Sequence, residues 1–127
     1  MILGIGTDLI EIARIARSVE RYGESFLHRV YTEEEIAYCQ RKKKNAAESF
    51  AARFAAKEAG AKALGTGISR GVALTEFAVT REPSGRPVLQ FHGRAAEIAK
   101  AMGIARVSLS LTHTKEMAMA VVIVEGE

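Results

Sequence analysis

The chain has 127 residues, 48% of them hydrophobic and 26% charged. That balance describes one globular domain able to build its own core, and it excludes disorder, collagen-like sequence and a coiled-coil rod. Eighteen Lys and Arg against fifteen Asp and Glu leave a net charge of +3, and aromatic residues are only 6% with no Trp, so an anionic partner is admitted and a base-stacking platform is disfavoured.

No apolar run approaches the ~20 residues needed to cross a bilayer. The opening MILGIGTDLIEIAR lacks the basic start of a signal peptide. One cysteine, Cys39, cannot form an internal disulfide, and no Cys/His cluster supports zinc; both fit a reducing cytoplasm. No repeat, low-complexity tract or linker divides residues 1–127, so one domain is expected.

Residues 2–6 (ILGIG) predict a short buried strand. Asp8, with Glu11 three residues on, predicts the N-cap of a first helix. Ile12, Ile15 and Val19 form its buried stripe. Arg14, Arg17 and Arg21 repeat that spacing on another face, and Gly23 ends the helix. Thr32 and Glu35 form a capping box that opens a second helix running towards the basic residues 41–44. Asn45 with Glu48 repeats the capping pattern and opens a long Ala-rich helix ending near Leu64, before Gly65.

Residues 72–80 and 87–92 predict strands around a turn at 82–86. Residues 94–102 predict a short helix stopped by Gly103. Residues 106–112 alternate apolar and polar, and 117–124 pair with them through a turn at 113–116. Helices early and strands late predict an α+β fold.

Six features carry chemistry. Phe50, Phe54, Glu58 and Lys62 fall at steps of four on one helix face. A carboxylate on an apolar stripe needs a partner, and a surface ion pair with Lys62 is the simplest one. Asp8 can cap the helix or contribute an oxygen to Mg²⁺. Gly65, Thr66 and Gly67 can form a C-cap and connector or wrap a phosphate, but the order of elements is not that of a P-loop. Residues 41–44 are a solvated helix end or an anion site. His113 stands at a strand end, where it can be structural or part of a site. The arginine stripe is a solvated face or a docking surface for an acidic protein.

Motifs go further than spacing. Gly4-Ile5-Gly6-Thr7-Asp8-Leu9-Ile10 followed by Arg14, then Phe26-Leu27-His28-Arg29-Val30-Tyr31-Thr32-Glu33-Glu34-Glu35, then Arg53-Phe54-Ala55-Ala56-Lys57-Glu58-Ala59 with Lys62-Ala63-Leu64-Gly65, then Gly85-Arg86-Pro87 and Ser110-Leu111-Thr112-His113, occur in one order across residues 4–113. This set resembles the bacterial holo-[acyl-carrier-protein] synthases, the short phosphopantetheinyl transferases. The resemblance implies their single-domain fold, with N-terminal helices on a mainly antiparallel sheet, assembled as a homotrimer with active sites between subunits. It implies Mg²⁺-dependent transfer of 4′-phosphopantetheine from coenzyme A to a serine of an acyl carrier protein, in support of fatty acid biosynthesis. Adenosine 3′,5′-bisphosphate is released.

By the same resemblance Asp8 and Glu58 hold Mg²⁺, Glu58 takes the serine proton directly or through water, and Lys62 holds the pyrophosphate. His113 lies near the nucleotide. Arg53, Gly65, Thr66, Gly67, Gly85, Arg86 and Pro87 shape the coenzyme A pocket, and Lys44 reaches the 3′-phosphate. Arg14, Arg17 and Arg21 grip the carrier protein. The alternatives are a basic nucleic-acid-binding module resting on residues 41–44 and the arginine stripe, and another small Mg²⁺-dependent phosphoryl enzyme using Asp8 and Glu58. Low aromatic content and modest net charge count against the first. The arginine stripe, which the second has no use for, favours the transferase.

Overall fold

The computed structural model describes residues 1–127. In chain order the elements are β1 (Ile2–Glu11), α1 (Ile12–Tyr22), α2 (Glu24–Val30), α3 (Glu33–Gln40), α4 (Ala46–Leu64), β2 (Phe77–Arg81), β3 (Pro87–Phe91), α5 (Gly93–Met102), β4 (Arg106–His113) and β5 (Met117–Glu125). Short 3₁₀ turns precede α4 and β2. One antiparallel sheet has the order β1-β5-β4, and β2 and β3 form a separate hairpin. The α+β expectation holds.

α4 is the hub. It lies against β1, β5, α1, α3 and β2. Its Ala51, Ala55, Ala59 and Ala63 are all 3% exposed or less, a step-of-four stripe of small side chains that lets the sheet approach closely. β1 exploits the same closeness: a Cβ on Gly6 would overlap the carbonyl oxygen of Ala59, and one on Gly4 that of Ala63. Ala118, Ala120, Val122 and Val124 of β5 complete this layer, fully buried.

Local signals placed several boundaries. Thr32 Oγ1 accepts from the Glu35 N–H, and the Glu35 carboxylate accepts from the Thr32 N–H at 2.8 Å, so the capping box is closed. Gly65 ends α4 at φ 80° and Gly103 ends α5 at φ 79°, the left-handed position that glycine takes without steric cost.

Four expectations need correction. Asp8 does not cap α1: β1 continues to Glu11, which occupies the cap position without a side-chain hydrogen bond. Pairing with β5 from Ile2↔Glu125 to Glu11↔Met117 satisfies the backbone groups the cap would have served. Asn45 likewise makes no side-chain cap, because the preceding 3₁₀ turn runs straight into α4. Residues 24–30, where no element was expected, form α2, burying Leu27 and Val30. The strand expected over 72–80 starts only at Phe77, after a 3₁₀ turn.

The core also holds an ion pair that sequence reasoning missed. Lys57 Nζ and Glu35 Oε1 are 2.7 Å apart, with side chains 0% and 1% exposed. Lys57 Nζ also donates to the Phe77 carbonyl at 2.8 Å, and Glu35 Oε2 accepts the Val79 N–H at 2.6 Å. Every buried polar side-chain atom of the chain has a partner, which is the condition for keeping charge in a core.

Candidate active site

Period two along β1 turns Gly4, Gly6, Asp8 and Ile10 towards α4, and Ile5, Thr7, Leu9 and Glu11 away from it. Strand and helix run in opposite directions, about two strand residues matching four helix residues, since ~3.3 Å of rise per strand residue balances two of ~1.5 Å. Asp8 follows the two glycines in this series and arrives beside the open seam of α4.

That seam is narrow. Between Phe50 and Leu64 every residue of α4 is buried except Phe54, Glu58 and Lys62. From Phe54 to Lys62 the step-of-four stripe is therefore the open side of α4, while Phe50 at its start is buried. Alanine on the other sides is small enough to be covered all round, so the side chains at steps of four look outward.

Lys62 does not pair with Glu58. Its Nζ donates to the Thr7 carbonyl at 2.9 Å and lies 3.3 Å from Asp8 Oδ1. The surface ion pair expected from i,i+4 spacing is replaced by a tie between helix and strand. Asp8 and Glu58, which spacing alone could not join, are neighbours in space. Glu58 is half-buried, and burial raises its carboxyl above the usual range. The Asp8 charge adds to that rise, while Lys62 and Arg14 pull the other way. Two carboxylates and two cations thus share one spot. Arg14 stands there as well as on the exposed stripe with Arg17 and Arg21, which lies beside Ser18, Glu20 and Tyr22.

A second feature opens near the other end of α4, a cleft of about 370 Å³, within the ordinary range for small-molecule sites. Arg53, Pro87 and His113 line it, together with Lys42 from the basic run at 41–44 and with Tyr38, Glu48 and Arg81, which sequence reasoning missed. His113 Nε2 is 3.2 Å from Glu48 Oε1. Arg53 is 4% exposed, and its Nη1 donates to Ser49 Oγ at 3.0 Å.

The remaining candidates stand elsewhere. Lys44 is exposed in the turn before α4, and Gly85 and Arg86 lie in the β2–β3 turn; none of them lines the cleft, where Lys42, Arg53 and Arg81 supply the positive charge and Glu48 a negative one. Gly65, Thr66 and Gly67 follow the Lys62 end of α4. The Thr66 hydroxyl is spent on the Gly67 carbonyl at 2.6 Å. Only the basic run at 41–44 signalled Lys42 in advance; nothing local distinguished Tyr38 or Arg81.

Two carboxylates from separate elements, flanked by a lysine, can hold a hard cation against phosphate oxygens. A neighbouring cleft lined by cations suits an anionic ligand. Residues 4–122 match the model of the 4′-phosphopantetheinyl transferase superfamily. The chain is 55% identical over 125 residues to a holo-[acyl-carrier-protein] synthase of Koribacter versatilis, covering 98% of this chain and 99% of that one. It is similar to the crystal structure of a holo-[acyl-carrier-protein] synthase from Neisseria meningitidis, with TM-score 0.87, 38% identity and coverage of 98% and 99% of the two chains. It is also similar to that of the Helicobacter pylori enzyme in complex with coenzyme A, with TM-score 0.84, 33% identity and coverage of 95% and 99%.

Proposed function

This chain belongs to the 4′-phosphopantetheinyl transferase superfamily, and on that premise we propose that Asp8, Glu58 and Lys62 carry its chemistry. Its activity is that of the holo-[acyl-carrier-protein] synthases: 4′-phosphopantetheine passes from coenzyme A to a serine of an apo acyl carrier protein. The observation that supports the residue assignment is the convergence of Asp8 from the C-terminal half of β1 with Glu58 and Lys62 from the C-terminal half of α4.

Mg²⁺ fits the Asp8–Glu58 pair. Two mutually repelling carboxylates, one of them raised by burial and by the other's charge, gain from a cation between them, and Mg²⁺ commonly takes one or two carboxylates with phosphates and water. When bound, the ion neutralises charge on the pyrophosphate of coenzyme A. Glu58 takes the proton of the incoming serine hydroxyl. The serine oxygen bonds to the phosphorus bearing pantetheine as that phosphorus–oxygen bond to the nucleotide breaks. The electron pair leaves with adenosine 3′,5′-bisphosphate. Lys62, held by the Thr7 carbonyl, stabilises the departing phosphate.

Arg53, Lys42, Arg81, Pro87 and His113 form the nucleotide end of the coenzyme A site, with Lys44, Gly85 and Arg86 in the turns beside it; Gly65, Thr66 and Gly67 stand at the opposite end of α4, away from this cleft. Arg14, Arg17 and Arg21 dock the acidic carrier protein. The chain works as a homotrimer with sites between subunits. Exposed Ile5 and Leu9, 60% and 62% accessible, share the outer sheet face with Met119, Val121 and Ile123, and an apolar patch of this kind calls for cover. Ala118 and Ala120 face α4 instead, so the small residues of β5 serve the approach of helix and sheet. No helix is long and apolar enough to cross a membrane, and the buried free Cys39 suits the reducing cytoplasm in which we place the enzyme.

The test is intact-protein mass spectrometry of a bacterial apo acyl carrier protein incubated with this chain, coenzyme A and Mg²⁺. The expected result is a gain of one phosphopantetheinyl group with wild type, lost with EDTA and with Glu58→Gln. Full transfer by the Glu58→Gln variant would remove Glu58 as ligand and base.

A further inference from the structure

We propose that Tyr38 is a positioning residue of the coenzyme A site, its ring gathering Lys42, Arg53 and Arg81 into one cationic wall of the cleft. This rests on the assignment of the cleft to coenzyme A made above. The Arg53 guanidinium lies 4.3 Å from the ring centroid, Lys42 Nζ 4.9 Å, the Arg81 guanidinium 5.3 Å and that of Arg41 5.8 Å. Four cations around one ring repel one another. None of them makes an ion pair with a carboxylate of the chain. Arg53 is nearly buried, and its hydrogen bonds go only to the hydroxyl and carbonyl of Ser49. The negative face of the aromatic ring is what these charges share.

The core explains how the ring meets its cations. Tyr38 is one helical turn beyond Glu35 on α3, and Arg53 is one turn before Lys57 on α4. Arg81 is two residues beyond Val79 on β2, on the same strand face. Glu35 accepts from both Lys57 Nζ, at 2.7 Å, and the Val79 N–H, at 2.6 Å. One buried carboxylate therefore fixes the mutual register of the three elements, and the ring with two of its cations stands one step further along each. The phenol reports the same field. Burial pushes its pKa up, but the neighbouring Lys42, Arg81 and Arg53 cations outweigh that and bring it below the ordinary value.

Unpaired cations held at fixed spacing suit a ligand with several phosphate charges. The ring offers a phosphate nothing directly, so Tyr38 acts through Lys42, Arg53 and Arg81. The experiment compares wild type, Y38F and Y38L in carrier-protein transfer, with direct titration of adenosine 3′,5′-bisphosphate alongside. Y38L should raise the KM for coenzyme A about tenfold and weaken bisphosphate binding by a similar factor. kcat at saturating coenzyme A and the KM for carrier protein should hold within about twofold. Y38F, which keeps the ring, should restore both values. Unchanged KM and binding in Y38L would overturn the role of Tyr38 while leaving the transferase assignment standing. So would a fall in kcat and thermal stability without a KM effect, which marks a merely structural ring, or a Y38F as weak as Y38L, which marks the hydroxyl. A wild-type protein that binds neither coenzyme A nor the bisphosphate would overturn the assignment of the cleft, and Tyr38's role with it.

Discussion

Lys62 reaches across to Asp8, its Nζ 3.3 Å from Asp8 Oδ1 and 2.9 Å from the Thr7 carbonyl it donates to. The lysine leaves Glu58, one turn before it on the same helix, without an ion-pair partner. Glu58 therefore bears the cost of burial and of the Asp8 charge together, and a strand-to-helix tie fixes the geometry in which it does so.

That cost gives the first prediction. The Glu58 carboxyl is raised in the folded chain, by burial first and by Asp8 second. A carboxyl raised on folding favours the native state below its unfolded value, and this contribution is lost as pH rises through the folded one. In EDTA, Glu58→Gln should therefore be more stable than wild type at pH 8, by roughly 2 °C in Tm, a gain kept small because solvent screens a half-buried group. The gap should close in acid. Added Mg²⁺ should stabilise wild type more than the variant, by mass action. A less stable variant at pH 8 in EDTA would show that Glu58 is not strained by its surroundings.

Gly6 tests how the site is assembled. An added Cβ meets the Ala59 carbonyl, which belongs to helix backbone and cannot yield. Gly6→Ala should cost about 3 kcal/mol or more in urea unfolding and should abolish transfer by lifting β1 from α4. Gly65→Ala has open space around the new methyl but sits at φ 80°, so its cost should be about 1 kcal/mol. Equal costs for the two would mean that strand and helix are not in backbone contact.

The local grammar of the chain predicted what local chemistry decides. The Thr32–Glu35 box, the Gly65 and Gly103 stops and the β4–β5 hairpin each rest on a few adjacent residues. Asp8 was misassigned because its neighbourhood reads as a helix start, while β5, from the far end of the chain, holds it in a strand. The α4 seam did not stand out as the one open side, because a hydrophobic stripe marks the core only when one face is buried, and α4 is covered almost all round by virtue of its alanines. Asp8 and Glu58 became a pair through the family resemblance, not through spacing. The cleft draws on α3, α4, β2, β3 and β4, so no local pattern contained it. Lys57 and Lys62 are both lysines among alanines; only the surroundings make one an interior ion-pair partner and the other a surface tie.

Lys57 gives a double-variant prediction. Lys57→Met leaves Glu35 buried without its cation and should cost roughly 3–5 kcal/mol. Adding Glu35→Gln removes the stranded charge and should recover part of that loss, though a single amide oxygen cannot accept both the Thr32 and the Val79 N–H. Urea unfolding of the two single variants and the double one measures the coupling. Additive losses would show that the 2.7 Å contact carries no coupling energy.

The arginine stripe separates two roles on one helix. All three arginines are exposed, but only Arg14 is near enough to Glu58 to pull its carboxyl down. Arg17→Glu should raise the KM for carrier protein about tenfold, with an effect that fades at high salt, and leave the KM for coenzyme A unchanged. Arg14→Glu should do the same and also shift the pH dependence of kcat upward, because a positive charge near Glu58 becomes a negative one. Identical pH profiles in the two variants would place Arg14 with the docking surface alone.

The outer sheet face gives the last prediction. Register pairs Ile5 with Ile123, Thr7 with Val121 and Leu9 with Met119, so apolar side chains from the first and last strands form a continuous patch on the side away from α4. β4 adds Ser108, Ser110 and Thr112 beside it. A patch this apolar favours association over hydration, and the homotrimer proposed above would cover it. Leu9→Asp places a charge in the middle of the patch without touching the core that Ile10 and Asp8 face. Sedimentation should find wild type as a trimer and Leu9→Asp as a folded monomer, with transfer lost because each site needs a neighbour. Ile68→Ser, exposed but off the sheet, should stay trimeric. An active monomeric Leu9→Asp would show that one chain holds a complete site, and an unchanged trimer would move the interface to another face.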